Sequence, residues 1–182
     1  MLRSVLRNRL LVIIGTSLPL VLAAPAVAEP PDAKNFVTHL TGAEEVPERD
    51  CPGQGQAIFQ LSNDGTELSY RLITSNIENV VAAHIHIGAA GVNGPVVLFL
   101  FGNAPPAGGS HDGVLGEGTA TAADLVGPLT GQPLSALVTN MRVGNAYVNV
   151  HTNDGVAPTN TGCGDFPGGE IRGQIETAGP TQ

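Results

Sequence analysis

Positive charge is what this chain has least of. Its 182 residues carry 8 Lys and Arg against 16 Asp and Glu. Three of those basic side chains, Arg3, Arg7 and Arg9, fall in an N-terminal leader that holds no acid. Five basic groups then face all sixteen acids in residues 29–182, a formal charge of −11. Such a surface repels phosphate backbones and anionic lipid, so nucleic acid is excluded as a partner and no membrane is expected after the leader is cut. Cations, basic proteins or a matrix stay open, though scattered acids are first of all a solvated surface. Catalytic motifs are missing too. There is no G-x-S-x-G elbow, no phosphate-cradling loop before a helix and no H-E-x-x-H. Glu44 and Glu45 stand beside Pro47 in loop-like sequence and read as solvated acids. Nothing here points to a hydrolase.

The leader is legible by its parts. A basic start to Arg9, an apolar stretch from Leu10 to Leu22 and a small-residue site at Ala26-Val27-Ala28 make a secretory signal peptide, residues 1–28. The uncharged stretch is short for a spanning helix, and Pro19 and Pro25 argue against a retained anchor. No cysteine sits where a lipoprotein needs one, and no Arg-Arg pair marks a twin-arginine signal. The expectation is export, to the periplasm or fully secreted, of one domain over residues 29–182. The only two cysteines, Cys51 and Cys163, lie in that exported part, far apart in Gly- and Pro-rich sequence and not as C-x-x-C. In an oxidising compartment they are expected to form one disulfide. Closing so long a loop is worth roughly 4–5 kcal/mol in the chain-entropy picture.

Aromatics are few, at 4% with no Trp, while Gly (24) and Pro (14) are plentiful. Short alternating apolar runs between turn clusters are the pattern of an all-β sandwich or barrel. The runs are Asn35–Leu40, Gln56–Ser62, Glu67–Thr74, Val80–Ile87, Val96–Phe101, Val114–Thr121, Ala146–His151 and Glu170–Glu176. Asn63-Asp64-Gly65 has the chemistry of a tight hairpin. One segment departs: after Pro133, Leu134, Leu137, Val138 and Met141 follow helical spacing up to Gly144, which predicts a short helix. A further short helical turn is expected at Ala122–Leu125.

Histidine is scarce, at five residues, yet two are spent on "AAHIHIG". Strand alternation places His84 and His86 on one face and Ile85 and Ile87 on the other. In "AYVNVHT", Tyr147, Asn149 and His151 share a face. In "GEIRGQIE", Glu170, Arg172 and Gln174 do. Histidines at i and i+2 sit about 6.5–7 Å apart along a strand, so their rings can converge on one ion. His151 would add a third nitrogen, and Glu170 would orient an imidazole. Such a set suits copper or zinc. The competing reading is that backbone carbonyls or carboxylates satisfy these rings and Glu170 pairs with Arg172. His39 reads as incidental, and His111, in the Gly-rich "GGSHDGV", is a candidate fourth ligand.

Four blocks carry a family resemblance: "LTGAEEVP" (40–47), "AAHIHIGAAGVNGPVVLFL" (82–100), "GNAYVNVHTNDG" (144–155) and "GGEIRGQI" (168–175). In this order the chain resembles the CHRD (chordin) domain family, with a longer insert before the last block that carries Cys163. The resemblance implies an antiparallel Greek-key β-sandwich, immunoglobulin-like or superoxide-dismutase-like, in an extracellular protein. In animals the domain belongs to a secreted antagonist that binds growth factors, an activity not carried over to this chain. The His-Ile-His pair is also similar to the first copper-ligand pair of copper/zinc superoxide dismutases. The following "GAAGVNGPVV" lacks the histidines and acid that their zinc loop needs, so dismutation is disfavoured.

The expected protein is therefore an exported, non-enzymatic binding domain with one short helix. A copper or zinc ion would be held by His84, His86 and His151, supported by Asn149, Glu170 and Arg172. A protein or matrix partner is expected but not identified. The alternatives are a copper-dependent redox enzyme and a purely structural or adhesive domain.

Overall fold

The computed structural model describes residues 32–179; the leader lies outside them. Nine strands and one α-helix follow in order: β1 (Asn35–Thr41), β2 (Gln54–Leu61), β3 (Leu68–Glu78), β4 (Val80–Ile87), β5 (Val96–Phe101), β6 (Ser110–Ala120), α1 (Leu134–Arg142), β7 (Ala146–Thr152), β8 (Ile171–Gln174) and β9 (Glu176–Thr177). Every pairing is antiparallel, and the sheet runs β5-β4-β7-β8-β1-β2-β3-β6, with β9 beside β1. The all-β fold with one short helix is as the alternation predicts.

Period-two patterning sets the faces. In β2, Gly55, Ala57, Phe59 and Leu61 point inward while Gln54, Gln56, Ile58 and Gln60 point out. Phe36 and Leu40 of β1, Leu68 and Leu72 of β3, and Val148, Val150 and Ile171 join them in one apolar core. The sheet curls until its ends, β5 and β6, lie side by side. The Tyr70 hydroxyl donates to the Leu100 carbonyl at 3.3 Å. A side chain on Gly116 would stand 2.5 Å from that same oxygen, so only glycine allows this approach. α1 begins after Pro133, buries Leu134, Leu137, Val138 and Met141, and stops before Gly144, whose φ of 66° favours glycine. At Ala122–Asp124 a 3-10 turn is capped by Thr121 and Asp124.

Three local expectations are corrected. The β2–β3 hairpin is wider than the tight hairpin suggested by Asn63-Asp64-Gly65: its connection takes residues 62–67, gathered around the Asp64 carboxylate, which accepts from Ser62 Oγ and Thr66 N. β6 starts at Ser110 rather than Val114, because the turn closes at Gly109 (φ 76°) and the strand pairs with a longer β3. β8 starts at Ile171 rather than Glu170, because the chain enters through Gly169 at φ 128°. The last two change the fate of expected site residues.

Sheet closure is tested at the β5–β6 contact. Gly116→Ala should cost about 1–3 kcal/mol in urea unfolding, as overpacking against backbone does. Gly108→Ala, where nothing lies within 4 Å, should leave the midpoint nearly unchanged. Equal effects would mean the strands do not abut as described.

Candidate metal centre

The site grows from three neighbouring strands. β4, β7 and β8 turn Ala83, Ile85, Val148, Val150 and Ile171 to the core. Their other face carries two polar rows set by register: His84–Asn149–Arg172 and His86–Tyr147–Gln174, with His151 opposite Ala82. Alternation would leave this face to solvent, yet every residue of β7 is buried. Loops roof it.

The first roof segment, residues 88–95, is held by Arg172. Its guanidinium is 1% exposed and lies 3.5 Å over the Tyr147 ring. It donates to the carbonyls of Ala89 and Val92, both at 3.0 Å, and to Asn93 Oδ1 at 3.2 Å. Gly94 N–H donates to the Tyr147 hydroxyl at 2.9 Å. A side chain on Gly94 would collide with the Ile87 carbonyl, so the turn needs glycine there. The second segment is the strap from Cys163 to Gly169. Cys51–Cys163 form the expected disulfide, with Cα atoms 5.6 Å apart. Phe166 N–H donates to Thr152 Oγ1, and the Arg49 guanidinium sits 4.2 Å from the Phe166 ring centroid.

Each roof segment fixes one histidine. His86 Nδ1 meets the Gly94 carbonyl at 2.9 Å, and His151 Nδ1 meets the Pro167 carbonyl at 2.9 Å. A carbonyl only accepts, so both Nδ1 atoms carry the proton and both Nε2 atoms present lone pairs. His84 Nδ1 lies 3.1 Å from His151 Nε2 and donates to it. His84 Nε2 and His86 Nε2 are buried without any partner. Burial pulls His84 and His151 down to about 4, and the neighbouring rings push the same way, while the carbonyl bond on His151 offsets part of the effect. His86 is lowered by burial, with the Gly94 carbonyl opposing and Arg172 adding to the shift. All three rings are neutral at pH 7, the form that ligates.

One nitrogen from each ring lies within 4.8 Å of the others. Two nitrogens on one tetrahedral zinc are about 3.3 Å apart, given Zn–N bonds of about 2.0–2.1 Å. The His84–His151 separation is already of that size. The residues present therefore fit a cation. His86 Nε2, His151 Nε2 and one nitrogen of His84 would hold it, with the Gly94 and Pro167 carbonyls as the outer partners that orient the rings. Phe99, edge-on to His84 with centroids 4.5 Å apart, borders the β5 side, where it is itself exposed and His84 is half-buried.

The structure brings His84, His86 and His151 together and puts Asn149 directly across from His84. The supporting roles differ from expectation. Arg172 does not pair with Glu170; it stacks on Tyr147, whose ring stacks in turn on His86 at 4.9 Å and 12°. Glu170 orients no imidazole. Since the strand begins one residue later, its carboxylate accepts from Thr152 Oγ1 (2.7 Å) and Gly164 N (2.6 Å). There it lines a cavity of about 400 Å³ with Glu78 and Asp112. His111 belongs to β6 and meets Thr74 Oγ1 at 2.9 Å, so it is not a fourth ligand; His39 is exposed on β1.

Glu45 went unrecognised as a site residue. Instead of a solvated loop acid it is 6% exposed. Burial raises its carboxyl to about 7, against the Val46 N–H and the Arg172 and Arg49 guanidiniums. Its Oε1 and Asn149 Oδ1 are both buried and unpartnered, and both crowd the point where a Gly169 side chain would stand. No spacing in "LTGAEEVP" signals this, since loop burial depends on the strap. Tyr147 was legible as a member of the face but not as the plate between Arg172 and His86.

The CHRD domain family matches residues 36–175. The chain belongs to that family. The match takes in the four sequence blocks, including every residue of the histidine face. No curated protein and no solved structure matches the chain.

The metal-free protein should show opposed pH terms. His84 and His151 take protons near 6.5 when unfolded and near 4 when folded, so stability rises with pH between those values, and the lowered His86 adds a term of the same sign. Glu45 keeps its proton to about 7 when folded but to only about 4.5 when unfolded, so its term falls as pH rises through that window. Glu45→Gln should therefore gain on the wild type by up to about 3 kcal/mol between pH 4.5 and 8. Urea midpoints at pH 4.5 and pH 8 measure this, and a pH-independent difference would refute the buried carboxyl.

Proposed function

We propose that this CHRD domain is an exported binding protein that holds a transition metal through His84, His86 and His151, and is not an enzyme. One observation carries the reading: three neutral imidazoles converge, two of them anchored from behind by backbone carbonyls, and two buried nitrogen lone pairs face no donor. An unsatisfied buried acceptor costs about 1–3 kcal/mol; a cation on His86 Nε2 removes that cost there and a core histidine pair does not. Export rests on the leader pattern of residues 1–28, and the Cys51–Cys163 bond fits an oxidising compartment. Among the described residues no helix is long and apolar enough to cross a membrane.

A structural reading has its own support. The His84–His151 hydrogen bond and the two carbonyl bonds would by themselves tie three strands to the roof. The two readings part on one experiment. The purified protein, stripped with chelator, is titrated with copper and zinc beside a His84→Ala/His86→Ala variant. One equivalent should bind the wild type and none the variant. At a hundredfold excess over Kd the metal should stabilise the wild type by about 3 kcal/mol. Wild-type binding no stronger than the variant's, with the variant merely less stable, would make the histidines fold anchors.

A further inference from the structure

We propose that the three-histidine centre selects a monovalent soft cation, Cu(I), over the divalent ions Cu(II) and Zn(II). This rests on the metal-binding reading above and adds to it the charge of the ion.

The first observation is the donor set. All three donors are uncharged imidazoles, and no carboxylate stands among them. Glu170 is turned away to Thr152 and Gly164. Glu45 lies beside Asn149 at Gly169, outside the three-nitrogen set, and burial raises its carboxyl to about 7. Nothing in the ligand set offsets a second positive charge.

The second is a fixed cation. Arg172 is buried, and all of its described hydrogen bonds go to neutral oxygens, those of Ala89, Val92 and Asn93. It stacks at 3.5 Å on Tyr147, which stacks at 4.9 Å on His86. A positive charge is thus held roughly 8 Å from the ligand ring, across an aromatic plate that water does not enter. Each added unit of charge on the ion is repelled by it; at an effective dielectric of about 20 and somewhat beyond that distance, this disfavours a dication by on the order of tenfold relative to a monocation, less whatever the Glu45 carboxyl near Arg172 offsets.

The third is the coordination number. Zinc in a three-histidine site completes a tetrahedron with a water or another ligand. Cu(I) is content with three nitrogens in a plane. Here Tyr147 stacks on His86, the loops at Gly94 and Pro167 cover His86 and His151, which are 7% and 9% exposed, and half-buried His84 packs edge-on against Phe99 at the surface. Two buried rings held from behind by backbone carbonyls, with the third half-buried beside Phe99, suit an ion that needs few ligands.

The test compares ions on the purified, metal-free protein. Cu(I) is titrated without oxygen against a chromogenic chelator, Ag(I) serves as a redox-inert monovalent probe, and Cu(II) and Zn(II) are titrated against their own competitors. Asn149→Asp places a carboxylate of the same size across from His84, with a thermal melt to confirm that the variant folds. Cu(I) and Ag(I) should bind more tightly than either dication in the wild type, and Asn149→Asp should shift the ratio toward Zn(II) by about tenfold or more. Zn(II) or Cu(II) binding as tightly as Cu(I) would overturn the selectivity while leaving a metal site in place. Failure of every ion to bind would remove the metal reading itself, and this inference with it. The wild-type comparison decides the matter even if the variant does not fold.

Discussion

A buried guanidinium whose described hydrogen bonds all go to neutral oxygens is the constraint around which this protein's functional face is arranged. Removing Arg172 from water is costly unless its donors are met and its charge is accommodated. The carbonyls of Ala89 and Val92 and the Asn93 amide meet the donors, and the Tyr147 ring accommodates the charge. These contacts require residues 88–95 to fold back over the sheet. That fold brings the Gly94 carbonyl to His86, and Asn93 Nδ2 to the Val46 carbonyl at 2.8 Å. One side chain thereby ties together a loop, a histidine tautomer and the neighbouring segment that buries Glu45.

The strap does for His151 what that loop does for His86. Its anchors are spread along its length: the disulfide at Cys163, the Gly164 N–H on Glu170, the Phe166 N–H on Thr152, and the close fit of Gly169 beside Asn149. Glu170 and Thr152, both buried, act as a polar hinge under it. The disulfide also fixes the strap to the segment bearing Glu45 and Arg49. Both walls of the histidine site are therefore set by contacts distant in sequence, and its rigidity comes from backbone carbonyls. That is a different design from a carboxylate-backed metal centre, and it leaves the ligand set itself without a carboxylate.

Alternation alone was enough to assign His84 with His86, and Tyr147 with Asn149 and His151, to single faces, since a strand has no other way to place successive side chains. It also located the core positions of the strands, while helical spacing located the helix after Pro133 and its stop at Gly144. Alternation fails where the strand itself fails. Glu170 is one residue outside β8 because Gly169 adopts a backbone conformation foreign to strands, and its side chain leaves the face that period two assigns to it. His111 was misplaced for the converse reason, a strand that begins earlier than its apolar residues do.

What the sequence determined by itself is local and periodic: an all-β chain, the polar face with its histidines, and two cysteines suited to one bridge. Those follow from side-chain period and covalent chemistry, which need no knowledge of the rest of the molecule. Tertiary structure alone decided that the polar face is roofed, that Arg172 stacks on Tyr147 rather than pairing with Glu170, and that Glu45 is buried. Each of these depends on which loop covers which strand. That choice is made by hydrogen bonds and desolvation between segments more than forty residues apart, as with Asn93 and Val46, and no local pattern carries it.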